Sequence, residues 1–268
     1  MKLVAVVRKP AQPDEAVRAL AEAAGLAPAE ARMRLAPEPP AFLARMEPEA
    51  ASRLVVSLRR AGLAALAIDA EVPGDEVRTV ARAFSFEAAG VTFAPRAGEP
   101  VRIAFPDVLA ILRGTRSSRV EVERAEKSKG FSAATALATG GLVLRRTSTK
   151  TVRSSEERSE QVIFVFPRDG RAVVLSESEV DFSCLGPGMQ PSSTGNMAEL
   201  ARRLREKATG AFYDERLLRL GRRPLPFLAG GESRTQTASA VTTRSDTAGS
   251  LDALAEALRQ ALLERLLP

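Results

Sequence analysis

Gln161-Val-Ile-Phe-Val-Phe166, Pro167-Arg-Asp-Gly170 and Arg171-Ala-Val-Val-Leu175 follow one another without interruption, and their reading decides the fold. Two β-branched and aromatic runs flank an Asp-Gly pair, which predicts a hairpin because glycine accepts the positive φ of a tight turn. Val162 to Phe166 is apolar at every position, so this strand is expected inside a sheet with both faces covered. A helix is predicted from Met197 to Lys207, with Asn196 as N-cap and Glu199 reaching back from N3. Met197, Leu200, Ala201, Leu204 and Ala208 form its apolar stripe, and Arg202, Arg203, Arg205 and Lys207 its charged face. Such a helix must lie on something, and the predicted sheet is the nearest apolar surface.

Working outward, composition removes many functions. The chain has 268 residues and no histidine, which excludes Ser-His-Asp triads, Cys-His dyads and histidine-ligated zinc. The single Cys184 excludes an internal disulfide and redox pairs, and the loop around it predicts a buried, inert thiol. Glu177, Glu179 and Asp181 alternate along an extended segment and are read as a solvated edge rather than a cation site. No cofactor is expected, and no catalytic constellation supports an enzyme. No apolar run approaches the ~20 residues of a membrane span, and cytoplasmic residence is the expectation. Net charge is +6 from 39 basic and 33 acidic residues, and residues 77–227 hold 25 basic and 17 acidic ones. A nucleic-acid surface asks for a denser basic stripe with exposed aromatics, so nucleic acid is not an expected partner.

Ahead of the hairpin, Lys2–Val7 reads as a strand. Pro13-Asp-Glu opens a helix with its acids in the first turn, and Gly25 ends it. Pro28 opens a second helix, Ala41–Met46 forms a strand, and a third helix runs from Pro48 to Ala61 with Gly62 at C′. Ala64–Ala70 closes a β-α-α-β-α-β order. The residues Gly25-Leu-Ala-Pro-Ala-Glu-Ala31, Leu35, Pro39, Glu49-Ala50, Leu54, Leu58 and Ala61-Gly62 resemble the C-terminal domain of the bacterial ribosomal stalk protein. That domain shares its fold with the Clp protease adaptor. The resemblance covers about residues 2–70 and implies a docking module. The stalk family's lysine after Glu-Ala is Arg32 here, and the histidine of the adaptor's pocket has no counterpart.

After Val72-Pro-Gly-Asp75, short strands follow at Thr79–Phe86, Gly90–Ala94, Val101–Phe105 and Val108–Arg113. Val120 and Val122 alternate with Glu121 and Glu123, and the Thr-rich run Leu142–Val152 is expected to pair with Gln161–Phe166. Lys127–Gly141 reads as an insertion with a short helix at Phe131–Ala138. Many short strands followed by one helix resemble a pleckstrin-homology-like, GRAM-type barrel. The lipid-binding members of that fold imply an anion site among Arg113, Arg116 and Arg119. Phe212–Leu220 reads as another helix. The stretch from Pro224 to Gly249 is poor in core-forming residues and reads as a flexible tether.

Ser250 caps a last helix whose stripe is Leu251, Leu254, Leu258, Leu262 and Leu266. On a tether, that helix can dock on its own chain or on a partner.

The expected fold class is therefore α+β. Residues 1–72 form a stalk-like domain and 77–224 a pleckstrin-homology-like β domain. A linker at 225–249 and a docking helix at 250–268 complete the chain. The expected role is a non-enzymatic protein–protein adaptor whose five leucines hold a protein partner. The alternatives are a peripheral membrane protein or binder of an anionic lipid or phosphate through the three arginines, and a ribosome- or RNA-associated factor.

Overall fold

The computed structural model of the chain describes residues 1–131, 145–225, 227–228, 232–237 and 240–268. It is an α+β protein. The first elements are β1 (Lys2–Val6), α1 (Pro13–Ala24), α2 (Pro28–Leu35), β2 (Ala41–Met46), α3 (Pro48–Arg60) and β3 (Ala65–Asp69). A 3-10 turn at Asp75–Val77 leads into β4 (Thr79–Phe86), β5 (Gly90–Pro95), β6 (Val101–Ala104), β7 (Val108–Phe131) and β8 (Arg145–Pro167). Then come β9 (Val173–Ser176), α4 (Ser193–Lys207), β10 (Phe212–Asp214), α5 (Leu217–Leu220), β11 (Glu232–Gln236), β12 (Ala240–Asp246) and α6 (Ala248–Leu263). Among the described residues no helix is long and apolar enough to cross a membrane.

The chain divides into two compact units, one of Met1–Ser117, Ser159–Ala229 and Thr247–Pro268, the other of Ser118–Arg158 and Gly230–Asp246. In the larger unit the N-terminal strands form an antiparallel sheet of order β2-β1-β3. A second, mixed sheet runs β10-β7-β8-β9-β4-β5-β6, with β10 parallel to β7 and β4 parallel to β9. Side-chain alternation sorts the residues into three cores. Val4, Val6, Leu43 and Ala65 pack under α1, α2 and α3 through Leu20, Ala31, Leu54 and Leu58. The opposite face of that sheet, with Leu3, Ala5, Val7, Leu66 and Ile68, shares one core with α6 and with Leu112, Val162, Phe164 and Phe166 of the second sheet. The second sheet's other face, with Phe84, Phe93, Ile163 and Val165, packs on Met197, Leu200 and Leu204 of α4. The larger unit is thus layered as three helices, sheet, α6, sheet and α4.

The apolar run 162–166 is buried throughout because α6 covers its even positions and α4 its odd ones. Its hairpin to β9 pairs Val162 with Ser176 and Val165 with Val173, and Gly170 takes a φ of 95° in the turn. α6 is buried at six successive positions, Ser250 to Ala255, then at Ala257, Leu258 and Ala261. A helix with apolar residues over most of its girth suits a place between two sheets. Gly114 of β7 makes room for it, since a Cβ there would stand 2.5 Å from Leu251 Cδ1.

In the smaller unit the strand order is β11-β12-β7-β8. Val120 faces Arg244 and Val122 faces Thr242 across the β7–β12 pair. None of its described side chains is buried.

Several expectations change. α4 begins a turn early, at Ser193, because the Ser192 hydroxyl caps it by accepting from the Gly195 N–H at 3.1 Å. Asn196 is instead buried inside the helix, its Oδ1 accepting from the Gln190 N–H at 2.6 Å. Phe212–Leu220 is a strand and a single helical turn, because β10 is drawn into pairing with β7. The Thr-rich run does not pair with Gln161–Phe166; from Arg145 onward the two belong to one continuous strand. The insertion read at 127–141 is strand up to Phe131, and the helix read at 131–138 otherwise lies outside the described residues. Inside the stretch read as a linker, 232–236 and 240–246 are paired strands, their Ser and Thr hydroxyls no obstacle to a ladder. No boundary between compact units falls at 72–77. Cys184 is exposed, since Leu185 takes the buried position beside it.

Candidate functional site

Two helices of the larger unit end beside one another's following loops, and an open cavity of about 810 Å³ lies there. Its wall takes Arg205 and the Thr209–Ala211 loop after α4, Phe212 and Tyr213 of β10, Leu109 of β7 and Arg168 after β8. Leu262, Arg265, Leu267 and Pro268 at the end of α6 complete it.

The charges at this wall are unbalanced. Arg168, Arg205 and Arg265 line it, and no Asp or Glu side chain does. Arg168 Nε donates to the Pro106 carbonyl at 3.3 Å, and its backbone N–H to the Asp107 carbonyl at 2.8 Å. The Arg205 guanidinium stands 4.9 Å from the centre of the Tyr213 ring. None of the three is ion-paired among the described residues. A helix C-terminus carries roughly −0.5 charge, so the ends of α4 and α6 together offset only about one of the three cations. Outside the lining, the Glu215 carboxylate also interacts with Arg205.

Arg265 reaches this wall through an uncommon backbone. The chain ends three helices with the same pair of hydrogen bonds, the Schellman arrangement. At α1 the Gly25 N–H donates to the Glu22 carbonyl and Leu26 to Ala21; at α3 Gly62 donates to Arg59 and Leu63 to Leu58. At α6 Arg265 donates to Leu262 and Leu266 to Ala261. The left-handed residue is glycine in the first two, with φ of 64° and 79°, and arginine in the third, with φ of 55°. A side chain there costs about 1 kcal/mol against glycine.

Behind the wall lies a polar relay. The Tyr213 hydroxyl donates to Glu215 Oε1, and Arg113 donates to Glu215 Oε1 at 2.7 Å and Gln161 Oε1 at 2.9 Å. Burial, then the bond to Glu215, pushes the Tyr213 phenol up to about 12. The bond from Tyr213 holds Glu215 below its ordinary range. Tyr213 is therefore a neutral ring at any ordinary pH, and Glu215 is already engaged.

The other cavities each have a carboxylate among their lining, although one of about 250 Å³ sets Arg78, Arg168, Arg171 and Arg259 against Glu256 alone, and one of about 650 Å³ also carries Arg96 and Arg171. One of about 570 Å³ carries Lys2 paired with Asp69 and Arg259 paired with Glu256. The cavity of about 650 Å³ holds Arg82 paired with Glu179, and Arg78, whose partners are Asp252 and Asp75.

Arg113, Arg116 and Arg119 are each paired with a carboxylate. Arg113 serves the relay, Arg116 pairs with Asp75 at 2.8 Å, and Arg119, in the smaller unit, pairs with Glu121 at 2.7 Å. Successive strand residues face opposite ways, and a carboxylate meets each guanidinium. Of the five leucines, Leu251, Leu254 and Leu258 are buried in their own chain; Leu266 packs against the same core, and Leu262 reaches the cavity. The three carboxylates near 180 are each engaged: Glu177 by Ser193 and Thr194, Glu179 by Arg82, Asp181 by Ser183. Arg168, Arg205, Arg265 and Tyr213 were not legible as a set, though an arginine where a helix should end on glycine was a usable signal. Comparison of the chain with protein-family models, curated proteins and solved structures returns no match.

Proposed function

We propose that this chain is a non-enzymatic binding protein that takes an anionic ligand in the cavity walled by Arg168, Arg205 and Arg265. The observation that carries this reading is three guanidinium groups on one open wall with no carboxylate side chain among its lining. Arginine offers a planar fork of donors suited to carboxylate and phosphate. Nothing at the wall is poised to exchange a proton near neutral pH, since Tyr213 is held near 12 and arginine does not titrate. The site is thus suited to holding rather than to acid–base chemistry.

The test is a thermal melt in inorganic phosphate against chloride at matched ionic strength. Phosphate at a hundred times its Kd stabilises the folded state by about 2.7 kcal/mol. The triple variant Arg168→Ser, Arg205→Ser, Arg265→Gly is expected to lose that response. An equal phosphate response in the variant, or none in the wild type, contradicts the reading.

A second reading keeps the adaptor role but moves its surface, because α2 and α3 leave Met33 68% and Val56 47% exposed. Its test is the double variant Met33→Glu, Val56→Glu. An adaptor using this surface loses a partner that co-purifies with the wild type, while the melting temperature stays unchanged.

A further inference from the structure

The arginine wall has an apolar floor. Leu109, Phe212, Leu262 and Leu267 line the cavity, and each is a partly buried residue packed against the α6 core. The floor is therefore the outer edge of a fixed core, not a loose patch of side chains. A bare phosphate or carboxylate meets the guanidinium groups and leaves this floor wet. At about 810 Å³ the cavity falls within the 300–1,000 Å³ span of small-molecule sites, which combine apolar walls with a few placed polar groups. The polar side chains in the lining are the three arginines, Thr209 and Tyr213, whose hydroxyl is turned to Glu215.

Resting on the anion-binding reading above, we infer that the ligand is a small amphipathic anion: one phosphate or carboxylate head on an alkyl or aryl body. The head sits among Arg168, Arg205 and Arg265, and the body lies on Leu109, Phe212, Leu262 and Leu267. A cavity of about 810 Å³ takes a small body, and a hexyl chain serves as its probe. Arg265 holds both halves in register, because the left-handed turn that places its guanidinium also folds Leu266 and Leu267 back onto the core.

The experiment compares hexyl phosphate, inorganic phosphate and hexanol by isothermal calorimetry on the full chain. Hexyl phosphate is expected to bind at least tenfold tighter than inorganic phosphate, about 1.4 kcal/mol, and hexanol is not expected to bind measurably. Leu267→Ser is expected to bring the affinity for hexyl phosphate down toward that for inorganic phosphate. Equal affinity for the two phosphates overturns the amphipathic ligand and leaves the anion site standing. Absence of binding by both overturns the anion site as well. Hexanol binding as tightly as hexyl phosphate overturns the role of the head. A protein that sediments with phosphatidate-containing vesicles yet ignores hexyl phosphate takes its head group from a membrane, which overturns a free ligand.

Discussion

Arg265 occupies a backbone position that the same chain twice gives to glycine. Selection for stability alone favours glycine there, so Arg265→Gly is expected to raise the melting temperature by roughly 2–4 °C, corresponding to about 1 kcal/mol. The same variant is expected to weaken anion binding. A rise without weakened binding removes Arg265 from the site. Tyr213 gives a second prediction, because it is the only tyrosine and the chain has no tryptophan. Its phenolate absorbance belongs to one residue, and half-ionisation is expected well above the ordinary 10, toward 12. Since the folded value is raised, the stability it contributes is present below pH 10 and is lost as pH rises from 10 through about 12. Titration at the ordinary value places the ring in water and breaks the relay. At this scale the sequence was partly legible: Gly25, Gly62 and Gly170 stand where their turns require. The cap of α4 was misplaced because Ser192 and Asn196 both suit a helix start, and only tertiary packing buries Asn196.

The element on which the larger unit depends is α6. Its amphipathic period suggested one buried stripe, whereas the helix lies between two sheets and buries nearly its whole girth. Leu258→Ala is expected to cost about 2–5 kcal/mol, since neither sheet can close on the cavity left. Its N-terminal turn is fastened by charge: Arg78 Nη1 lies 2.5 Å from Asp252 Oδ1 and 3.6 Å from Asp75, and Arg116 is on Asp75 at 2.8 Å. The Arg78 guanidinium also stands 5.1 Å from the Phe164 ring centre. Burial raises Asp252 above the usual carboxylate range even beside Arg78. Arg78→Met leaves that carboxylate buried without its partner, a change of about 3–5 kcal/mol. A carboxyl whose folded-state pKa is raised gives its stability at low pH and loses it as pH rises through that value. The loss in Arg78→Met is therefore expected to be larger at pH 8 than at pH 5, by chemical denaturation. The double variant Arg78→Met, Asp252→Leu is expected to recover most of it, leaving Arg116 with Asp75. Losses that simply add show that the two side chains do not act as a pair. This fastening joins residues far apart in sequence, and no local pattern marks it.

At the scale of the molecule, composition and period identified the element types of residues 1–95 and the double-sided strand at 162–166, because those signals are local. They did not identify the layering. Leu3, Ala5, Val7, Leu66 and Ile68 read as half of a self-contained domain's core, yet their partner is a helix near the other end of the chain. Residues 1–72 expressed alone are consequently expected to bind hydrophobic dye and to lack a cooperative melt. A sharp melt of that fragment contradicts the shared core. Ser- and Thr-rich strands such as β12 were hidden for a related reason: their pairing depends on β7, not on burial of their own side chains. The same distance in sequence separates Arg168, Arg205 and Arg265, which only the folded chain brings to one wall. The central claim is that this wall binds anions, and Tyr213 is its built-in reporter. The direct measurement is Tyr213 emission titrated with phosphate at constant ionic strength, in the wild type and in Arg168→Ser, Arg205→Ser, Arg265→Gly. A saturable change in the wild type that is lost in the variant is the predicted result; an unchanging emission, or the same curve in both proteins, contradicts it.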